Sequence, residues 1–169
     1  MNFKSIDYLS KGNPLQRNVY KTLITHQILD KLSDYNPIVV GTIPIDIAIE
    51  GSDVDIILEC YDTHQLELEM QSFFGFYPQF KCKRNHEKLV VQFTCNALPF
   101  EIYAAPICTT EQMGYLHMVK EHHLLIAKGE EFKQEIIRLK SSGYKTEPAF
   151  CKALGIAGDP YLELLKYSG

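Results

Sequence analysis

No pair of cysteines stands at CxxC spacing, and the five present, Cys60, Cys82, Cys95, Cys108 and Cys151, are odd in number and scattered. That pattern argues against a disulfide framework and against a zinc site built on thiolates, and it predicts reduced thiols. Long apolar runs are also missing. The longest, such as Ile56-Ile57-Leu58 and Leu124-Leu125-Ile126-Ala127, fall far short of the roughly 18–20 residues of a membrane span. The first residues, MNFKSIDYLSKGNPLQ, are interrupted by Lys4, Asp7, Lys11, Gly12 and Pro14 and hold no continuous apolar core for a signal peptide. A soluble, cytoplasmic protein without membrane contact is expected. There is no excess of positive charge either: Lys plus Arg is 17 against Asp plus Glu 21, a net charge of -4. A basic coat for nucleic acid is excluded, which disfavours a nucleic-acid partner and leaves local patches possible. No internal repeat and no low-complexity segment occurs.

What is there suits one domain. The chain has 169 residues, 46% hydrophobic and 22% charged, enough apolar content for a core of its own. Asn13 or Asn18 caps a helix expected over Gln16 to Leu32, where Val19, Leu23, Ile24, Ile28, Leu29 and Leu32 recur at three- and four-residue spacing. Ile38-Val39-Val40 reads as a short buried strand ended by Gly41, Ile45 to Ile49 as an extended arm, and Asp53 to Glu59 as a second strand. A helix follows from Asp62 or Thr63 to Phe74, closed by Gly75. Phe80 to Lys83, Lys88 to Cys95 and Pro99 to Ala104 predict an antiparallel ribbon with turns at Asn85 to Glu87 and Asn96-Ala97. A long helix from Thr110 should end at Gly129, another should cover Glu130 to Leu139, and short helices should lie near 148–154 and 160–166. The whole is a mixed α/β or α+β sheet with helices against it.

The chemistry concentrates in acids. Asp53 and Asp55, two residues apart on a strand, point to the same face, while Val54, Ile56 and Leu58 point to the other. Two carboxylates about 4–5 Å apart repel by roughly 3–4 kcal/mol at an effective dielectric near 20, and a divalent cation would remove that cost. Glu101, isolated in the apolar run Pro99-Phe100-Glu101-Ile102-Tyr103, can join them from a neighbouring strand. Three carboxylates make a hard oxygen site of the kind Mg²⁺ or Mn²⁺ takes. A plainer reading also fits: Asp53 in a turn, Asp55 facing water, Glu101 paired with a lysine. Gly41-Thr42, 12 residues before Asp53, tips the balance, since glycine lets a backbone approach a phosphate and the next hydroxyl and amides can donate to it.

The segments IVVGT, GSDVDIILE and PFEIYA resemble the core pattern of the polymerase β-like nucleotidyltransferase superfamily. The whole chain is similar to a family of small bacterial proteins, DUF4269, through NPIVVGTIPIDIAIEGSDVDIILE, FEIYAAP, EQMGYLHMVKEHHLL and IIRLKSSGYKTEPAFCKALGIAGDPYLELL. The resemblance implies an α+β fold, a nucleotidyltransferase-like mixed sheet flanked by helices, with a core over about residues 14–108 and a C-terminal helical part over about 110–169. It implies that Asp53, Asp55 and Glu101 are catalytic and bind Mg²⁺ or Mn²⁺, and that Gly41 and Thr42 hold the triphosphate; Ser52 and Lys145 are further candidates for binding the nucleotide. A nucleoside triphosphate would then be the donor, and the acceptor a small molecule, a protein or an RNA. A catalytically inactive nucleotide-binding or protein-interaction module on the same scaffold is the alternative. Thr42 stands where Ser or Gly is commoner, Glu101 where Asp is frequent, and Ile43-Pro44-Ile45-Asp46 departs from the helix that usually follows the glycine.

Other features have plainer readings. Lys81, Lys83, Arg84, His86 and Lys88 form a basic ribbon that either steers a polyanion or is a solvated hairpin. His117, His122 and His123 share a helix, and the five-residue step from 117 to 122 argues against their sharing a metal, although His117 or His122 could face the cleft singly. Lys145, Thr146 and Glu147 form a loop that either meets a phosphate or pins the last helices. Glu111 and Gln112 read as residues of a first helical turn, Asp159 as a cap, and neither Cys95 nor Cys108 has the histidine and acid of a nucleophilic site.

Overall fold

The computed structural model describes residues 1–168. Helix α1 (Pro14–Thr25) starts where a capping box demands it: Asn13 accepts from the Gln16 amide, Gln16 accepts from the Asn13 amide, and Pro14 takes the first turn. The single helix expected as far as Leu32 is in fact broken, because Gln27 adopts φ 52° and a short α2 (Ile28–Lys31) sets off in a new direction. The break lets Ile28 and Leu32 enter the same core as Val19 and Leu23.

Strand β1 (Ile38–Val40) leads to Gly41, and β2 (Val54–Glu59) follows. The extended arm expected at Ile45 to Ile49 does not form. Residues 42–46 turn instead, with the Asp46 amide donating to the Ile43 carbonyl and the Ile47 amide to the Thr42 carbonyl. Ile43, Ile45 and Ile47 serve as buried anchors, Ile43 on one side of the sheet and the other two on the opposite side, so their alternation reflects core insertion rather than a ladder.

Helix α3 (Thr63–Phe74) is capped by Asp62, whose carboxylate accepts from the amides of His64 and Gln65. Strands β3 (Lys81–Arg84), β4 (Leu89–Cys95) and β5 (Leu98–Ala105) make the expected ribbon, and Asn96 and Ala97 supply the positive φ angles of its tight turn. Helix α4 (Met113–Ser141) runs through a kink at Gly129, whose φ of 80° and ψ of -170° let the two predicted helices abut without a linker. Helices α5 (Thr146–Leu154) and α6 (Pro160–Lys166) complete the chain's described part.

The sheet order is β1-β2-β5-β4-β3, with β2 and β5 parallel and every other pair antiparallel. Period-two alternation divides the two faces. Val39, Val54, Ile56, Leu58, Val91, Phe93, Phe100 and Ile102 face α1 and α3, while Ile38, Val40 and Ile57 face α4 to α6. On the second face, β4 and β5 carry Gln92, Glu101 and Tyr103, none of them buried, so the C-terminal helices leave that half of the sheet open. No helix among the described residues is long and apolar enough to cross a membrane.

The covered face is held by an aromatic stack: Phe74 and Phe93 lie 4.8 Å apart at centroids and Phe93 and Phe100 5.1 Å, all nearly parallel. Phe93 is 2% exposed. Phe93→Ala should therefore cost about 3–5 kcal/mol in urea denaturation, with the second face intact. A loss of under about 1 kcal/mol would show that Phe74 and Phe100 close the gap between them.

Candidate functional site

The register of the sheet puts Asp55 of β2 directly between Val40 of β1 and Glu101 of β5. Asp53 lies two residues earlier on the same side of the strand. Gly41 follows Val40 with φ 79°, and a Cβ built on it would sit 2.2 Å from the Asp55 Oδ2 atom. Glycine is thus required twice, for its backbone angle and for the space the carboxylate occupies. Thr42 continues the wall. Ser52 closes the turn before Asp53, with its Oγ accepting from the Ile49 amide at 3.0 Å. Glu101 accepts from Gln92 Nε2 at 2.8 Å through one oxygen.

These residues open onto a cavity of about 900 Å³ between the bare half of the sheet and the N-terminal half of α4. Gly41, Thr42, Asp55, Glu101, Tyr103, Gln112, His117, Glu121, Thr146 and Glu147 line it. A shallower depression lined by Thr42, Ser52, Asp53, Asp55, Lys140 and Thr146 meets it at Asp55. The structure thus gathers Gly41, Thr42, Ser52, Asp53, Asp55 and Glu101. Lys145, by contrast, is exposed at the start of α5 and outside both walls, while its neighbours Thr146 and Glu147 lie within them.

The electrostatics follow from burial. Asp55 is pushed up to about 7, first by loss of water, then by the charges of Asp53 and Glu101, with Lys140 partly offsetting them. Asp53 is raised by burial and by Glu101. Lys140 on α4 is 6% exposed and donates to the Ile47 carbonyl at 2.7 Å. Burial brings its ammonium down to about 8, against the pull of Glu121, Glu147 and Asp55. Glu121 is raised by its own burial and then by Glu147. A hard cation beside Asp53, Asp55 and Glu101 would relieve this mutual repulsion, and the oxygen-only donor set and the cradle at Gly41 fit one.

Sequence reading allowed His117 to face the cleft but did not bring Glu121 and Glu147 to it in the wall opposite the sheet. His117, Glu121 and Glu147 bring ligand atoms within 4.8 Å of one another. Of the other two histidines on this helix, His122 packs edge-on against Phe3 at 5.0 Å and lies 6.2 Å from the His123 ring. The signal for the true partner was the four-residue step from His117 to Glu121, which puts both on one helical face. Gln112, expected to be an ordinary first-turn residue, is buried and its Nε2 donates to the carbonyls of Leu58 and Ile107 at 2.8 and 2.9 Å. The basic ribbon is exposed, Arg84 is engaged by Glu67 at 2.7 Å, and Lys88 alone of its members reaches the cavity, 5.9 Å from the Tyr103 ring centre.

Residues 21–167 match the profile of DUF4269, described as a domain of unknown function. The chain belongs to the DUF4269 family. Among solved structures it is similar to a cytoplasmic RNA terminal U-transferase, with TM-score 0.55, 14% identity, and 76% of this chain and 39% of that one covered. A GLD-2/RNP-8 complex follows at TM-score 0.54, 13% identity, and 88% and 60% covered. The polymerase core of TRAMP, an RNA surveillance complex, gives TM-score 0.51, 11% identity, and 95% and 50% covered. The chain therefore shares the fold of these structures and spans 39–60% of their length. No curated protein matches the chain.

Two consequences of the geometry are measurable. Gly41→Ala should destabilise the chain by about 1–3 kcal/mol, and more than Gly51→Ala, because Gly51 shares a φ near 80° but has nothing within 4 Å of its Cβ position. Equal losses in urea denaturation would show that only backbone strain matters at Gly41. Asp55, near 7 when folded and about 3.9 when unfolded, lends stability that is complete below about pH 4 and is lost as pH rises through 7. In EDTA, the permanently neutral Asp55→Asn should thus gain on the wild type from about pH 5 to about pH 8, by about 2 kcal/mol after allowance for solvent screening in the open cavity. A difference that does not change with pH would refute the raised carboxylate.

Proposed function

We propose that this chain is a metal-dependent nucleotidyltransferase that binds a nucleoside triphosphate and transfers its nucleotidyl group to an acceptor. The observation that carries the reading is the pairing of Asp55 with Glu101 across β2 and β5, beside a glycine with no room for a side chain, at the edge of a cavity of about 900 Å³. The fold likeness supports the same general kind of activity.

In this reading Asp53, Asp55 and Glu101 hold Mg²⁺ or Mn²⁺. When bound, such an ion supplies positive charge to the phosphate oxygens and the attacking oxygen of an in-line displacement. The chain's own residues do the rest. Gly41 brings its backbone close to the phosphates, and the Thr42 and Ser52 hydroxyls and amides line their path. Lys145, exposed one residue from the wall, reaches in when the nucleotide is seated. Glu101, with one oxygen held by Gln92, keeps the other free to accept the proton of an acceptor hydroxyl. Lys88 stands at the wall as a cation for the leaving phosphates.

The acceptor is a small molecule, a protein hydroxyl or an RNA end. Two of the similar structures are described by RNA-directed roles, so the net charge of -4 does not set an RNA acceptor aside. The five unpaired cysteines suit a reducing, cytoplasmic setting.

The test is thermal unfolding with Mg²⁺ or Mn²⁺ and each nucleoside triphosphate in turn. A nucleotide bound only by the folded chain at about 100 times its dissociation constant adds about 2.7 kcal/mol, which raises the midpoint by roughly 5–10 °C. Asp53→Asn/Asp55→Asn should abolish the rise. If no nucleotide shifts the wild type, the transferase reading fails and the scaffold is a binding module without nucleotide chemistry.

A further inference from the structure

The wall facing the strand carboxylates has a donor set of a different kind. His117 and Glu121 stand four residues apart on α4, and Glu147 reaches them from the first turn of α5. His117 is 5% exposed, and neither of its ring nitrogens has a hydrogen-bond partner. A buried imidazole with both nitrogens unsatisfied forfeits hydrogen bonds it had in water, and such groups are rare unless something else occupies them. One of those nitrogens lies within 4.8 Å of carboxylate oxygens from both Glu121 and Glu147. Glu121 is itself 3% exposed.

Charge points the same way. The Lys140 ammonium feels the charges of Asp55, Glu121 and Glu147 together. Burial pushes Glu121 towards its neutral form, and a cation beside Glu121 and Glu147 would favour the charged one. The donor set also says which class. Asp53, Asp55 and Glu101 offer only oxygen, which suits Mg²⁺, whereas an imidazole nitrogen with two carboxylates suits zinc and its neighbours among the transition metals. Three protein ligands at the edge of a cavity leave a coordination position open to whatever enters it.

We propose that His117, Glu121 and Glu147 bind a divalent transition-metal ion of the zinc class, at a site separate from the strand carboxylates and facing the same cavity. A bound ion would tie Glu147 of α5 to His117 and Glu121 of α4. The site does not depend on the chain being a nucleotidyltransferase.

The probe is Zn²⁺ itself, measured by equilibrium dialysis near pH 7.5 in a non-thiol reductant, with unfolding in EDTA to check each variant's fold. The wild type and Asp53→Asn/Asp55→Asn should both bind one equivalent that His117→Gln and Glu147→Gln lose by about 100-fold or more. Glu147 is half-buried at a helix start, so its variant tests the site even if His117→Gln fails to fold. Zn²⁺ binding that is equal in wild type, His117→Gln and Glu147→Gln overturns the proposal. So does binding lost only with the aspartates, which would assign the ion to the strand site. A Zn²⁺ result as expected together with no nucleotide shift would retain this site and discard the transferase reading.

Discussion

The buried ammonium of Lys140 donates to the Ile47 carbonyl and lies within the field of Asp55, Glu121 and Glu147. From α4 it therefore holds the loop after β1 by a hydrogen bond and feels the charges carried by the second strand, by α4 itself and by α5. Taking an ammonium out of water is costly, and the cost is recovered only if charge-assisted hydrogen bonds and nearby carboxylates replace the lost hydration. The loop is fixed from its other side as well. Gln16 Nε2 donates to the Ile43 carbonyl at 2.8 Å, and Asp46, at φ 60°, is held by Asn13 and Lys133. A segment with neither helix nor strand of its own is thus clamped between α1 and α4, which keeps Gly41 and Thr42 against Asp55.

The strand alternation then decides what each face can be. Val54, Ile56 and Leu58 go to the aromatic side, so Asp53 and Asp55 must go to the other, and the parallel pairing of β2 with β5 sends Glu101 there too. A one-residue slip would bury the carboxylates among Phe93, Phe100 and the apolar side chains around them. The core on one side therefore enforces the site on the other. That the C-terminal helices cover only β1 and β2 leaves the rest of this face free to line a cavity.

These dependencies explain which parts were legible in the sequence. Asp53, Asp55 and Glu101 stood out because a period of two is local, and because acids within apolar runs need a reason to be there. The caps at Asn13 and Asp62 and the stop at Gly75 are local as well. The bend at Gln27 left no such mark, since its cause is the demand of a distant core for Ile28 and Leu32. Ile43, Ile45 and Ile47 looked like a strand because alternation cannot tell a ladder from anchors entering two cores. The wall of His117, Glu121 and Glu147 was half visible: the four-residue step lies on one helix, but Glu147 comes near only through the kink at Gly129 and the turn at Gly143, which has φ 101°. Nothing in the sequence of α4 specifies how that pair of bends aims α5.

The cavity's charge restricts what it can accept. Asp55, Glu101, Glu111, Glu121 and Glu147 line it against Lys88, with Lys140 in the adjoining depression that Asp55 also lines. Low-dielectric walls and one sign of charge focus a negative potential in the space between them. On the proposed reading, a triphosphate entering by itself would meet that field with like charge, so its affinity would be coupled to the cations that precede or accompany it. Such a coupling would be reciprocal: each cation that lowers the potential would favour the nucleotide, and the seated nucleotide would hold the cations by the same factor. Two cation sites of different donor chemistry on opposite walls would make the cavity polar across its width, hard oxygen donors at the sheet and a nitrogen-containing set at the helices. On the proposed reading, phosphates belong at the sheet wall, where Gly41 admits their backbone contacts, and the helix wall is left to the acceptor. Acceptor choice would then rest with α4 and α5, the part of the chain whose placement the sequence declares least.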